Sequence, residues 1–221
     1  MAGKQEKKAP NFWYEGNTLL HDLPEIGAGV KHLVKHDPQM KAAYAGIGKL
    51  QWKKQPDGFE GLVCIILGQQ VSVAAAAHMA ARLREKLPKM TPDGFLKLGN
   101  EELRAIGFSR QKVTYCRDIA ERIVAGEFDP AALSVMDDKE AFDALLELKG
   151  IGFWSAEIYL MFCLGRGDVW PAGDLGLQNG IQRFLKLKKR PDEEETRELG
   201  EKWAPYRSAA ALIVWQALKV V

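Results

Sequence analysis

The sequence predicts an all-α fold. Three observations carry that expectation: apolar residues recur with a helical period, no segment shows four or more residues of strict alternation with β-branched enrichment, and chain breakers fall in clusters between the periodic stretches. From the N-terminus, helices are expected at about 22–34, 38–46, 58–67, 71–87, 92–98 and 100–106. In the next segment, 109–125, Val113, Cys116, Ile119, Ala120, Ile123 and Val124 share one face, with Arg117, Asp118, Glu121 and Arg122 opposite. Asp137 followed three residues later by Glu140 is a capping box, and Phe142, Leu145 and Leu146 then form an i, i+3, i+4 stripe. Further helices follow at about 152–165, 174–186, 192–201 and 205–219. The last is apolar nearly all round across 209–215 and so must be buried, with the N-terminal third as its expected partner. Breakers at Gln55-Pro-Asp-Gly58 and at Gly165-Arg-Gly167, running on to Trp170-Pro-Ala-Gly173, divide the chain into a central lobe at 58–166 and a discontinuous second lobe made of 1–57 plus 167–221.

Composition bounds the class. With 221 residues, 47% of them hydrophobic, there is enough apolar material for a core, which excludes a disordered chain. Cys64, Cys116 and Cys163 are odd in number and far apart, with no C-x-x-C pair, so they read as buried, reduced thiols of a cytosolic protein. Residues 1–8 are polar and basic, with Lys4, Lys7 and Lys8, and no apolar region follows; they are expected to be a frayed tail. The longest apolar runs are far short of a membrane span, so a soluble, intracellular protein without a membrane partner is expected. The net charge of +2 does not by itself point to nucleic acid, since domains that bind it are often strongly basic.

A faint internal echo links Leu103-Arg-Ala-Ile-Gly-Phe-Ser-Arg-Gln-Lys112 to Leu145-Leu-Glu-Leu-Lys-Gly-Ile-Gly-Phe-Trp154. Both read as helix, glycine turn, helix, and two ordinary glycine C-caps account for the first. The second is more demanding. Gly150 and Gly152 around one apolar residue allow positive φ and let a foreign backbone approach without meeting a Cβ. The turn's amides and the N-terminus of the next helix would then face an anion such as a phosphate.

Four blocks carry a resemblance: Phe59-Glu-Gly-Leu-Val-Cys-Ile-Ile-Leu-Gly-Gln-Gln-Val-Ser72, Leu148-Lys-Gly-Ile-Gly-Phe-Trp-Ser-Ala156, Asp168-Val-Trp-Pro-Ala-Gly-Asp-Leu-Gly-Leu177 and Trp203-Ala-Pro-Tyr-Arg-Ser208. In this order they resemble the helix-hairpin-helix DNA glycosylase superfamily, and within it the 3-methyladenine DNA glycosylase II family. The resemblance implies a two-lobed helical fold with no β domain and an active-site cleft between the lobes. It departs from the family at Lys149, where proline is usual. It implies a monomer acting in the cytoplasm, at the nucleoid, on double-stranded DNA that contains alkylated bases.

The resemblance also implies roles. Asp174 matches the catalytic carboxylate, and its place before Leu175 makes it a helix N-cap as well. Asp168 is the rival candidate for that carboxylate, but it falls ahead of the Pro171 turn and is expected to brace the loop. Cleavage of an N-glycosidic bond passes through an oxocarbenium-like sugar; an alkylated purine already carries positive charge and leaves without protonation, so one carboxylate suffices. Trp154 stands where bifunctional members carry a Schiff-base lysine, so a monofunctional hydrolase that leaves an abasic site is expected. Trp154 and Tyr206 match base-pocket positions, where stacking on a cationic purine contributes about 0.5–2 kcal/mol per contact. Trp170 and Trp215 are assigned to the core, and Ile158 falls where some members carry an aromatic. Gln70 matches the wedge that fills the gap left by the flipped base. Lys149, Gly150 and Gly152 in the hairpin, with Arg110 and Lys112 beside the Gly107 turn, are the expected phosphate contacts. Backbone carbonyls of Leu146, Leu148 and Ile151 would hold a monovalent cation; no iron–sulfur cluster and no required cofactor are expected. Two other readings keep the same helices: action on uracil, mismatched or oxidised bases, or a non-catalytic helix-hairpin-helix DNA-binding protein.

Overall fold

Alternating periodic and breaker segments become, in a computed structural model, α-helices joined by short loops; the structure describes residues 17–220, so the expected tail at 1–8 lies outside them. The helices are α1 Pro24–His36, α2 Pro38–Ile47, α3 Gly58–Gly68, α4 Val73–Lys86, α5 Pro92–Lys97, α6 Asn100–Ile106, α7 Arg110–Val124, α8 Asp138–Leu146, α9 Phe153–Tyr159, α10 Leu175–Phe184, α11 Glu193–Gly200 and α12 Arg207–Val220. Among the described residues there is no strand, only an isolated bridge between Leu19 and Lys53. Starts are set by side-chain caps: Ser72, Ser109, Asp137, Asp174 and Asp192 each accept a backbone N–H from the first turn of the following helix.

Two segments differ from the sequence expectation. Helix α1 begins at Pro24, because proline is pre-organised for the first helical position and cannot continue a helix from before it. The segment expected as one helix at 152–165 is α-helical only to Tyr159 and then widens into a π-turn over Leu160–Leu164. In that turn the Phe162 carbonyl accepts from Gln55 N (2.8 Å).

The apolar α12 packs against α1, α2 and α10, so the first two α-helices and the last belong to one helical group, while α3 packs on α4, α7 and α9. Helices α10 and α12 approach closely: a Cβ on Gly180 would lie 2.6 Å from Val214 Cγ1. Cys64, Cys116 and Cys163 are free and buried, and burial raises the thiol pKa of each, that of Cys64 to about 12. No helix among the described residues is long and apolar enough to cross a membrane.

Candidate active site

Asp174 sits where three helices meet. As N-cap of α10 its Oδ1 accepts from Leu177 N (2.7 Å), and the same oxygen accepts from Trp215 Nε1 of α12 (3.0 Å). Its Oδ2 accepts from Trp154 Nε1 of α9 (3.0 Å). Three N–H donors thus fix both oxygens of one carboxylate, which has about four acceptor sites, so one on Oδ2 stays open. Gly176 makes the Trp215 bond possible, since a Cβ there would stand 2.9 Å from Asp174 Oδ1 and 3.4 Å from Trp215 Nε1.

The loop leading to Asp174 is braced at every step. Asp168 forks onto Arg207, accepting from Nε (2.8 Å) and Nη2 (2.9 Å). Val169 N donates to Ser208 Oγ, Trp170 Nε1 to Thr196 O, and Gln178 Nε2 to Ala172 O. Asp168 and Trp170 therefore hold the loop and the core beneath it.

The aromatic of α12 beside Asp174 is Trp215. Tyr206 stacks on His32 at 4.5 Å, nine positions before Trp215 and so about 13 Å away along the helix axis. Trp215 in turn packs against Trp52 (5.9 Å) and Phe162 (6.0 Å), and the Trp52 indole donates to Leu212 O (3.1 Å). Trp215 lies in the core as expected, and its buried indole N–H, which needs an acceptor, finds one in Asp174. Ile158 is buried and adds no ring here.

The hairpin joins α8 to α9. Gly150 has φ +86, and a Cβ on it would fall 2.2 Å from the Tyr115 ring, so both its conformation and its neighbour demand glycine. Gly152 differs from the expectation of a positive φ. Its φ is −102, ordinary extended backbone, and nothing lies within 4 Å of where its Cβ would be; its value is the open space before the N-terminus of α9, which no side chain caps. Lys149, exposed, pairs with Asp118 at 3.6 Å. Arg110 is exposed on the first turn of α7 and makes no side-chain hydrogen bond or ion pair among the described residues.

Lys112 is engaged elsewhere than expected. Its ammonium donates to the carbonyls of Leu67 (2.7 Å) and Gln69 (3.0 Å), the open end of α3, and burial lowers its pKa. Two of its three N–H donors are thereby turned inward, onto the end of α3. Gln70 stands exposed at φ +55, and its side chain makes no hydrogen bond among the described residues.

Leu146, Leu148 and Ile151 line an open concavity of about 650 Å³ that also borders Arg122 and Lys149. Leu148 O accepts from Ile151 N (3.0 Å), which closes the turn. Beneath the site, Glu157 of α9 is buried; Arg197 meets its Oε1 at 3.2 Å while Oε2 has no partner, and burial, only partly offset by Arg197, raises its pKa to about 7.

Helices α8 and α9 about a glycine turn, with a capped and doubly clamped carboxylate behind it, define a helix-hairpin-helix protein carrying one potential catalytic acid. The model of the HhH-GPD superfamily of base excision DNA repair proteins matches residues 63–205, and the chain belongs to that family. Among its relatives, DNA-3-methyladenine glycosylase 1 of Schizosaccharomyces pombe is 32% identical over 174 residues, 76% of this chain and 75% of that protein. The putative DNA-3-methyladenine glycosylase YfjP of Bacillus subtilis is 33% identical over 128 residues, 58% of this chain, and the chain spans 45% of that relative's length. The solved structure of the S. pombe 3-methyladenine DNA glycosylase in complex with abasic DNA has a TM-score of 0.78 and 29% identity, covering 85% of this chain and 95% of that one.

Proposed function

We propose that this chain is a monofunctional DNA glycosylase that flips alkylated purines out of duplex DNA and hydrolyses the N-glycosidic bond, leaving an abasic site. The observation that carries it is Asp174, held by Leu177 N, Trp154 Nε1 and Trp215 Nε1 with one acceptor site open. Donors fixed before substrate arrives keep the carboxylate where positive charge develops on the sugar, with no rearrangement left to make at the moment of reaction. The open site on Oδ2 orients the attacking water and takes its proton. A base that already bears a positive charge needs no acid to leave, which matches a site with a single catalytic carboxylate. The rings of Trp154 and Tyr206, both partly exposed, favour such a base by cation–π attraction. Trp154 offers no amine, so no imine with the sugar forms there and no lyase step follows.

In this reading the protein works as a monomer, with DNA seated between the central lobe, 58–166, and the lobe formed by 1–57 plus 167–221. The bare amides before α9, with Lys149 and Arg110, hold the backbone, and Gln70 enters the stack. A monovalent cation on the carbonyls of Leu146, Leu148 and Ile151 would add a positive charge facing a phosphate. Chromatography of the bases released from methylated, deaminated and oxidised duplexes tests the proposal: methylated purines should dominate, and release of uracil or an oxidised guanine alone would overturn it. Borohydride trapping should yield no protein–DNA adduct.

A further inference from the structure

The loop between α3 and α4 carries a backbone outlier with two restraints around it. Gln70, at φ +55, lies in a region that a residue with a Cβ occupies only when its surroundings hold it there. Lys112 reaches across from α7 to grip the carbonyls of Leu67 and Gln69, immediately before that residue. Gln69 turns the other way, its Nε2 donating to Gly150 O (2.8 Å) and Ser155 Oγ (3.0 Å) in the hairpin. The loop is thereby bolted to α7 on one side and to the glycine turn on the other, while Gln70 and Val71 stay exposed at its tip. Beyond the tip, Ser72 caps α4 and fixes the exit.

We infer that Lys112 and Gln69 are positioning residues that set Gln70 in its inserting conformation before DNA binds, and that the Gln69–Gly150 bond couples this wedge to the seating of the hairpin on the backbone. The inference rests on the glycosylase reading for what the wedge does. With the loop ordered on folding, binding does not bear that entropy. The two ends of the device also move together: a phosphate drawn to the turn acts on the segment whose carbonyl Gln69 holds.

Lys112→Met and Gln69→Met keep the side-chain length and remove the donors. In the free protein, hydrogen exchange of the amides in 68–73 should quicken by about tenfold in each variant, with the buried amides of α12 unchanged. Identical exchange in wild type and variants would overturn the clamp. Single-turnover base release then tests the coupling on two duplexes, one with the alkylated base paired and one with it opposite an abasic position, where no pairing has to be broken. Each variant should lose about tenfold on the paired lesion and under about threefold on the unpaired one. Equal losses on both would sink the wedge role, since a general defect of the site does not discriminate between them. A wild-type protein that releases no alkylated base from either would fail the proposed function, and the exchange comparison would still decide the clamp.

Discussion

The turn at Gly107 and the turn at Gly150 share the pattern helix, glycine turn, helix and end as different devices. Each places its first glycine at positive φ, +117 and +86, and each buries the next residue, Phe108 or Ile151. They diverge at the third position. Ser109 caps α7 with its own hydroxyl, accepting from Lys112 N (3.2 Å), whereas Gly152 starts α9 with no cap and no neighbour within 4 Å. One side-chain oxygen therefore separates a closed structural turn from one whose amides are open to a phosphate. Asp174 is a third solution, an N-cap whose side chain closes the helix and still keeps one acceptor site open.

The largest effect should come from Asp174→Asn. Asparagine caps a helix as well as aspartate does, but its amide would meet Trp154 Nε1 donor to donor, so stability should fall by only about 1 kcal/mol. Base release under single-turnover conditions should fall by about 100-fold or more, because the charge opposite the developing oxocarbenium is gone. Full activity in this variant would reduce Asp174 to a cap of the Ser109 kind. Gly150→Ala attacks what the two turns share. It combines a strained φ with a methyl 2.2 Å from the Tyr115 ring, and should cost about 3 kcal/mol in denaturant titration. A loss under about 1 kcal/mol would mean that the hairpin yields more readily than its packing indicates.

The helices after the turns also differ at matched positions: α7 shows Thr114 to solvent, while α9 buries Glu157. Arg197 and Glu193 of α11 and Arg207 of α12 face that carboxyl, and burial still raises its pKa from 4.5 to about 7. A raised carboxyl favours the fold in its protonated form, so its contribution is complete below about pH 4.5 and is lost as pH rises through about 7. Stability of the wild type should decline across that window, and Glu157→Gln should flatten the decline. Thermal melts at pH 4.5, 6 and 8 read it directly; the same slope in both proteins would place the titration elsewhere.

Much of this was legible because it is local. Helical periodicity, the Asp137–Glu140 box and the cap at Asp174 all lie within one turn of the residues they govern, so sequence spacing reports them. The match of Asp174 to the catalytic position came from the family resemblance of its block, and the structure adds its two indole donors. What stayed hidden is long-range or lacks a period. Helix α12 is apolar all round, so nothing in its pattern says that Trp215 rather than Tyr206 stands beside Asp174. Lys112 reads as a surface charge because the carbonyls it grips lie more than forty positions earlier in the chain. The π-turn at Leu160–Leu164 has no composition signal, since its residues would serve an α-helix equally well.

Exchanging the third positions tests the comparison itself. Gly152→Ser has room for its side chain, and its hydroxyl should cap Ser155 N as Ser109 caps Lys112 N. Stability should then rise by a few tenths of a kcal/mol, about what separates serine from glycine at this position. DNA affinity should fall by about tenfold, because one amide that served a phosphate is taken. Ser109→Ala in the other turn should do the reverse in kind: about 1 kcal/mol of stability lost, with binding to the same duplex unchanged. Opposite signs in stability with a loss of affinity at position 152 alone would show that the bare cap is a binding device. Equal affinity in the Gly152→Ser variant would mean that the phosphate is held by Lys149, Arg110 or a bound cation instead, and that the open amides of α9 are hydrated in the complex as they are in the free protein.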